Sequence, residues 1–339
     1  MKRRTLLKQS AVVAIGSVFI GRDMFAKNSG PVYGHNGMQY RMDNAWGKLD
    51  PATHPVNDCH EMIQDSKGRV FLLTNETKNN ILIYSTSGKL KGSWGHDYPG
   101  AHGLTLGDNE LFITDTNRHQ VFKTTLDGKV LLTIDWPRES GVYTKAEEFV
   151  PTEVAVRDAG DFYIADGYGA QYILHYDSNG KLLSWFGGRG DGDEHLDNAH
   201  GICIDKRSGT ETLLVTDRTR NAFKRFSLDG KLLEVIHLPG ACVCRPVIHG
   251  DYLYAAVLRS PDLGAEGTGF VTILDKNNHV VSNIGGTAPE YGPDGKLKPM
   301  AQAEKIFVHP HDVCVDKDEN LYVAQWASGK VYPYKFTRV

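Results

Sequence analysis

The sequence lacks any excess of basic charge. Its 38 lysines and arginines are outnumbered by 41 acidic residues, for a net charge of -3. No positive field is available to hold a phosphate backbone, which argues against nucleic acid as a partner. Long apolar runs are also lacking. The modest run over residues 11–20 falls short of the roughly 20 residues that a spanning helix needs, so no membrane span is expected in the mature protein. Cysteine is sparse: there are five, an odd number, so at least one thiol is free. Cys203 and Cys314 fall at equivalent places in expected strands and read as small core residues. Cys242 and Cys244 form C-x-C, which is neither a C-x-x-C redox motif nor a zinc-finger spacing. Helical periodicity is almost absent. What the chain does have is 36 glycines, 15 tyrosines and 40% apolar residues against 23% charged. That composition buries a substantial core and favours strands and turns. A length of 339 residues fits two ordinary domains or one large all-β domain.

The N-terminus, "MKRRTLLK", places Arg3 and Arg4 ahead of the weakly apolar run. Paired arginines before such a run read as a twin-arginine export signal, with an uncleaved anchor as the other reading. Residues 1–30 are therefore set apart as a signal segment and residues 31–339 as the folded domain. The expected location is periplasmic or secreted, and the expected state is monomeric.

Internal repetition decides the architecture. Six segments share one pattern: a leading residue, alternating apolar positions, a turn, then an apolar run with a polar tip. They start at His60, His102, Thr152, His200, Arg245 and His311. Most are followed by a second strand pair around a D-G, N-G or S-G turn, as in "KTTLDGKVLLTI" and "FSLDGKLLEVI"; the fifth turns at "KNN". Each unit is thus four antiparallel strands, one propeller blade. The sixth unit ends with only its third strand. Its missing outer strand is supplied by "MQYRMDNAWG", residues 38–47, which closes the ring and removes the open sheet edge. The expected fold is an all-β, six-bladed β-propeller with blades of the NHL-repeat type. Two separate β-sandwiches would need a linker, and none is present. Residues 261–269 and 286–305 are expected as loops over the faces of the ring.

The first strand of each blade lines the channel, so the six leading residues form a ring around the axis. His102, His200 and His311 come from alternate blades, about 120° apart in a six-fold ring, and converge in a three-fold arrangement. Three histidines with an open outer position suit a catalytic zinc, although imidazole serves other first-row metals. His60 belongs to the ring but not to that set, and either contacts substrate or packs. His309, two residues before His311, is a candidate supporting residue. A second ring lies at the polar tips: Asn75, Asn117, Tyr168, Arg218, Arg259 and Trp326. A phenol beside a divalent ion loses its proton below its free pKa of about 10 and serves as a base, which singles out Tyr168 in "ADGYG". Arg218 in "TDRTR" either holds a carboxylate or oxyanion, or ties one blade to the next.

Taken together, "AHGLTLGDNELFITDTNRHQVFK", "VPTEVAVRDAGDFYIADGYGAQYILHYDSNGKLLSWFG", "VTDRTRNAFKRF" and "HPHDVCVDKDENLYVA" resemble peptidyl-α-hydroxyglycine α-amidating lyase. The resemblance implies a six-bladed propeller with zinc on His102, His200 and His311. It also implies a structural calcium on the carbonyls of Met62 and Leu104 and the carboxylate of Asp312, oxygen ligands suited to that ion. Tyr168 takes the place of the family's base and Arg218 that of one of its two arginines. The second arginine falls near Asn75 and is missing here, and the family's disulfide cysteine is replaced by Gly169. Arg245 stands in the ring as a possible substrate contact. The implied reaction is metal-assisted cleavage of the C–N bond of a carbinolamide, giving an amide and glyoxylate. The departures leave two other readings open: a metal-dependent lyase or hydrolase acting on a carbohydrate or other small molecule, and a non-catalytic NHL binding module.

Overall fold

The computed structural model of the protein describes residues 30–339; the twin-arginine segment lies outside them. Blade one is built from strands Cys59–Gln64, Arg69–Thr74, Ile81–Ser85 and Leu90–Trp94. Blade two runs from Ala101–Leu106 to Val130–Ile134, blade three from Glu153–Val156 to Leu182–Gly187, and blade four from Ile202–Asp205 to Leu232–His237. Blade five runs from Val247–His249 to Val280–Ile284. All are four-stranded antiparallel meanders, as the repeats require. The only helical segments among the described residues are three short 3-10 turns.

The sixth sheet closes the ring. Strands Pro310–Val315, Leu321–Gln325 and Tyr334–Arg338 pair onward to Met38–Asp43, with Tyr40 opposite Arg338 and Asp43 opposite Lys335. A further strand, Val32–His35, then folds back on Met38–Asp43 and makes this sheet five-stranded. Its turn is Asn36–Gly37, both at positive φ, the dipeptide that a tight hairpin favours.

The outer hairpins obey the same chemistry. Gly88, Gly128, Gly180 and Gly230 each hold a left-handed φ, and in blade five Asn278 does so at φ 63. Each hairpin carries a register shift beside its turn, a bulge that increases strand twist. These turns also receive the neighbouring blade. A Cβ on Gly128 would lie 2.5 Å from the Trp94 ring, and one on Gly230 would lie 2.5 Å from Phe186. The Trp46 and Trp94 indoles donate to the carbonyls of Thr86 and Leu126 at 3.0 and 3.1 Å. The Trp-Gly pairs at 46–47 and 94–95 are therefore blade-to-blade contacts. The core lies between blades: Leu73 and Ile81 of blade one pack with Leu104 and Ile113 of blade two, all fully buried. Each such side chain contributes roughly 1.5–3 kcal/mol.

Candidate functional site

The inner strands of blades one, two and six share one irregularity. Their register shifts between Cys59 and Glu61, between Ala101 and Leu104, and between Pro310 and Asp312. A bulge re-aims the unpaired residue, and the residues involved are His60, His102 and His311. His200 approaches from a loop just before Ile202–Asp205. Its N–H donates to the carbonyl of Asn198 at 2.7 Å, and that carbonyl also accepts from the Arg218 N–H at 3.1 Å. Asn198 holds φ 66, so one left-handed residue sets both His200 and Arg218.

Four imidazoles therefore meet on the axis, all buried. The rings of His102 and His200, and of His200 and His311, are 4.8 Å apart; His102 and His311 are 5.0 Å apart. His60 stands 4.9 Å from both His102 and His311. His60, His102 and His311 each offer a nitrogen within 4.8 Å of the others. The cluster thus contains two overlapping trios, one of them including His200 and the other His60.

Hydrogen bonds fix two of the rings. His102 Nδ1 lies 2.9 Å from the Thr152 carbonyl and His311 Nδ1 lies 3.0 Å from the His60 carbonyl. A carbonyl only accepts, so these Nδ1 atoms carry the protons and each Nε2 turns a lone pair to the channel. Burial lowers the pKa of all four histidines, that of His60 to about 3, and the charge of Arg218 lowers each further. The rings stay neutral, as metal ligands must. His102 Nε2 faces His200 Nε2 at 3.2 Å and the Tyr168 hydroxyl at 3.1 Å, two neighbours for one lone pair. His200 Nδ1 and His60 Nδ1 are buried without a hydrogen-bond partner. Zn–N bonds of 2.0–2.1 Å at tetrahedral angles put ligand nitrogens about 3.3 Å apart. The donor set fits a divalent first-row metal.

Two recesses of about 280 and 210 Å³ open beside the cluster. The first is lined by His60, Asn75, His102 and Tyr168, the second by Tyr168, Arg218, Arg259 and His311; Trp326 lines both. Tyr168 is 40% exposed, although its hydroxyl end reaches the cluster. Burial raises its pKa, with the Arg218 guanidinium pulling the other way. Gly169 follows in a loop where a Cβ would lie 2.1 Å from Asp166 Oδ1 and 2.3 Å from the Glu148 carbonyl. No cysteine fits there. Asp166 fastens the loop instead, accepting from Val150 N, Ala170 N and the Tyr143 hydroxyl at 2.6–2.8 Å. All five cysteines are free.

Arg218 is 2% exposed. Its Nε donates to the Val243 carbonyl at 3.2 Å and its Nη2 to Cys244 Sγ at 3.1 Å, so the second cysteine of C-x-C serves this arginine. Among the described residues no carboxylate forms an ion pair with it. Asn75 accepts from Asn57 Nδ2 and from the Asp58 N–H, and donates to Asp58 Oδ2, at 2.9–3.1 Å; it supports a loop and supplies no charge. His309 sits 2.9 Å from Glu266 Oε2, against the 261–269 loop, with its ring 5.9 Å from that of Trp326.

Two expectations meet at Arg245. The carbonyls of Met62 and Leu104 and the carboxylate of Asp312 do converge, but on the guanidinium of Arg245. Its donors lie 3.0 Å from Met62 O, 2.9 Å from Leu104 O, and 3.0 and 2.7 Å from the Asp312 oxygens. A calcium needs these oxygens at 2.3–2.6 Å from its own centre, and that centre is taken by a cationic side chain. Arg245 is thereby held within the channel by protein oxygens. Sequence reading missed this pairing, and it missed the glycines after His102 and His200. A Cβ on Gly103 would lie 2.5 Å from the Thr152 carbonyl, and one on Gly201 would lie 2.5 Å from Arg245 Cα. The His-Gly dipeptide was the available signal: a ligand, then a residue without a side chain where the next blade arrives.

Fold and site define a six-bladed β-propeller with a neutral histidine cluster on its axis. No protein-family model matches the chain. Over 280 residues, 75% of the chain and 48% of the relative, it is 27% identical to "Peptidyl-alpha-hydroxyglycine alpha-amidating lyase 1" of Drosophila melanogaster. Over 110 residues, 31% of the chain and 27% of the relative, it is 39% identical to "Peptidyl-alpha-hydroxyglycine alpha-amidating lyase 2" of the same organism. The chain is similar to this family, and it spans about half or less of the length of these relatives. A solved streptogramin B lyase superposes with a TM-score of 0.59 at 14% identity, covering 88% of this chain and 97% of that one; this likeness shows the fold alone.

Proposed function

We propose that the protein is a metal-dependent lyase of the amidating type, cleaving the C–N bond of a hydroxylated, carboxylate-bearing substrate. The observation that carries this reading is Arg218: a buried guanidinium without a carboxylate partner among the described residues, beside Tyr168 and the histidine cluster. An unpaired buried charge is costly, and a substrate carboxylate entering the recess offsets that cost with charge-assisted hydrogen bonds. His102, His200 and His311 would hold the metal, which when bound supplies Lewis-acid polarisation of the substrate hydroxyl.

The chain's own groups account for the proton. Tyr168, as phenolate, takes the hydroxyl proton of the carbinolamide. The C–O bond becomes a carbonyl, the C–N bond breaks, and the same phenol returns the proton to the departing amide nitrogen. Atoms balance as amide plus glyoxylate when the substrate ends in hydroxyglycine. Arg218 opposes the rise in the Tyr168 pKa, so it serves both the carboxylate and the base. The test is elemental analysis of the purified protein, followed by glyoxylate release from a hydroxyglycine-capped peptide. Protein that takes up no metal, or metal-loaded protein that releases no glyoxylate, overturns the proposal.

Asn75 favours a second reading. Tied to Asp58, it brings no second cation to the recess, which suits a smaller or less charged substrate, such as a sugar derivative, for the same metal, tyrosine and arginine. Turnover of such substrates without glyoxylate release distinguishes the two. We also propose export through residues 1–30; among the described residues no helix is long and apolar enough to cross a membrane.

A further inference from the structure

We propose that Arg245 is a built-in cation that replaces a bound divalent ion as the hub of the propeller, so that the closed ring does not depend on calcium. All three guanidinium nitrogens are engaged. Nε and Nη2 form a two-pronged pair with Asp312 at 3.0 and 2.7 Å. Nη2 also reaches the Met62 carbonyl at 3.0 Å. Nη1 reaches the Leu104 carbonyl at 2.9 Å and Glu61 Oε2 at 3.1 Å. Four hydrogen bonds and one close ion pair thus hold the fork. Glu153 Oε2 lies 3.8 Å from Nε.

Those partners span the wheel. Glu61 and Met62 belong to blade one, Leu104 to blade two, Glu153 to blade three and Asp312 to blade six. Arg245 enters just ahead of the inner strand of blade five. Blade four contributes Gly201, whose lack of a Cβ lets the Arg245 backbone approach. The acceptors are themselves anchored: Asp312 Oδ2 accepts from the Met62 N–H at 2.8 Å and Glu61 Oε2 from the Leu104 N–H at 2.6 Å. One side chain of blade five thus carries contacts to blades one, two, three and six, in the place where an oxygen-lined cage would otherwise need a metal. A guanidinium travels with the chain and cannot be chelated away.

The test reads thermal melting and metal content, not turnover, so it stands or falls apart from the lyase proposal. Wild-type protein is melted in EGTA and in millimolar calcium, and its calcium is measured after dialysis. Arg245→Ala and Arg245→Lys are treated alike. Wild type is expected to hold no stoichiometric calcium and to melt within about 1 °C under both conditions. Arg245→Ala exposes three buried carboxylates and two carbonyls without a cation; it is expected to melt roughly 5–8 °C lower in EGTA and to regain at least half of that in calcium. Arg245→Lys, which keeps the charge and loses the fork, is expected between the two, with no response to calcium. Stoichiometric calcium in wild type, a wild-type gain of several degrees in calcium, or a folded Arg245→Ala protein indifferent to calcium each overturns the proposal. If Arg245→Ala does not fold, the wild-type and lysine arms decide alone.

Discussion

The overlapping histidine trios make a discriminating experiment possible. His102 and His311 are common to both, so the question is whether His200 or His60 completes the ligand set. His200 Nε2 lies 3.2 Å from His102 Nε2, close to the roughly 3.3 Å that two tetrahedral zinc ligands adopt. The His60 carbonyl, in contrast, holds the His311 ring, a role that survives loss of the His60 side chain. His200→Ala is therefore the damaging change. A structural zinc site binds with about 10–16 kcal/mol; shared over four ligands, one imidazole is worth roughly 3–4 kcal/mol, or a 10²–10³-fold loss of affinity. His60→Ala should cost no more than about tenfold, the lower end for outer-sphere partners. The assay is metal stoichiometry by elemental analysis after dialysis against graded chelator, with glyoxylate release measured on the same samples. If His60→Ala strips the metal while His200→Ala keeps it, the distance argument is refuted. If His102→Ala, which breaks both trios, leaves metal content unchanged, the axial cluster is not a metal site.

Tyr168→Phe should lower turnover by roughly 10²–10⁴-fold, the range for a lost general base, with metal content and melting temperature unchanged; a structural role would show the reverse. Arg218→Ala should raise KM for a carboxylate-bearing substrate by roughly 10²-fold while leaving thermal stability equal or higher, because the charge it removes has no partner ion; KM and melting are measured together. Asp205 is held by Arg207 and Arg225; burial pushes its pKa up, but these hydrogen bonds prevail and bring it down to about 2 from 3.8. A depressed carboxylate adds stability above its unfolded pKa and loses it as pH falls through the folded one. About 2 kcal/mol should therefore vanish between pH 4 and 2, and urea melts of Asp205→Asn should show that part of the acid dependence missing.

The architecture was legible because repetition is a global signal carried by local chemistry. Asp-Gly and Asn-Gly turns mark the hairpins, alternation marks the strands, and an incomplete sixth unit calls for a strand from elsewhere. Met38–Asp43 supplies it. The added strand Val32–His35 went unread despite Asn36–Gly37, because it has few residues with which to establish alternation. The convergence of His102, His200 and His311 on the axis followed from blade symmetry. His60 was read as a ring member, but its equal closeness to His102 and His311 was not, since alternate-blade symmetry left it outside the set. Arg245 was hardest. Its partners Met62, Leu104 and Asp312 lie up to 183 positions away, and a ring position alone does not say whether an arginine points to a ligand or to its own backbone. Tyr168 and Arg218 were found as polar tips, but that Arg218 forms no ion pair among the described residues emerged only with side chains in place.

The pairing of Met38–Asp43 with Tyr334–Arg338 joins segments about 300 residues apart. Bringing such distant partners together costs loop entropy that local hairpins escape, so the last seam forms late and is the natural place for the wheel to part. The circle therefore cannot be closed before residues 334–338 have been made, since the strand that fills the last slot comes from the opposite end of the domain.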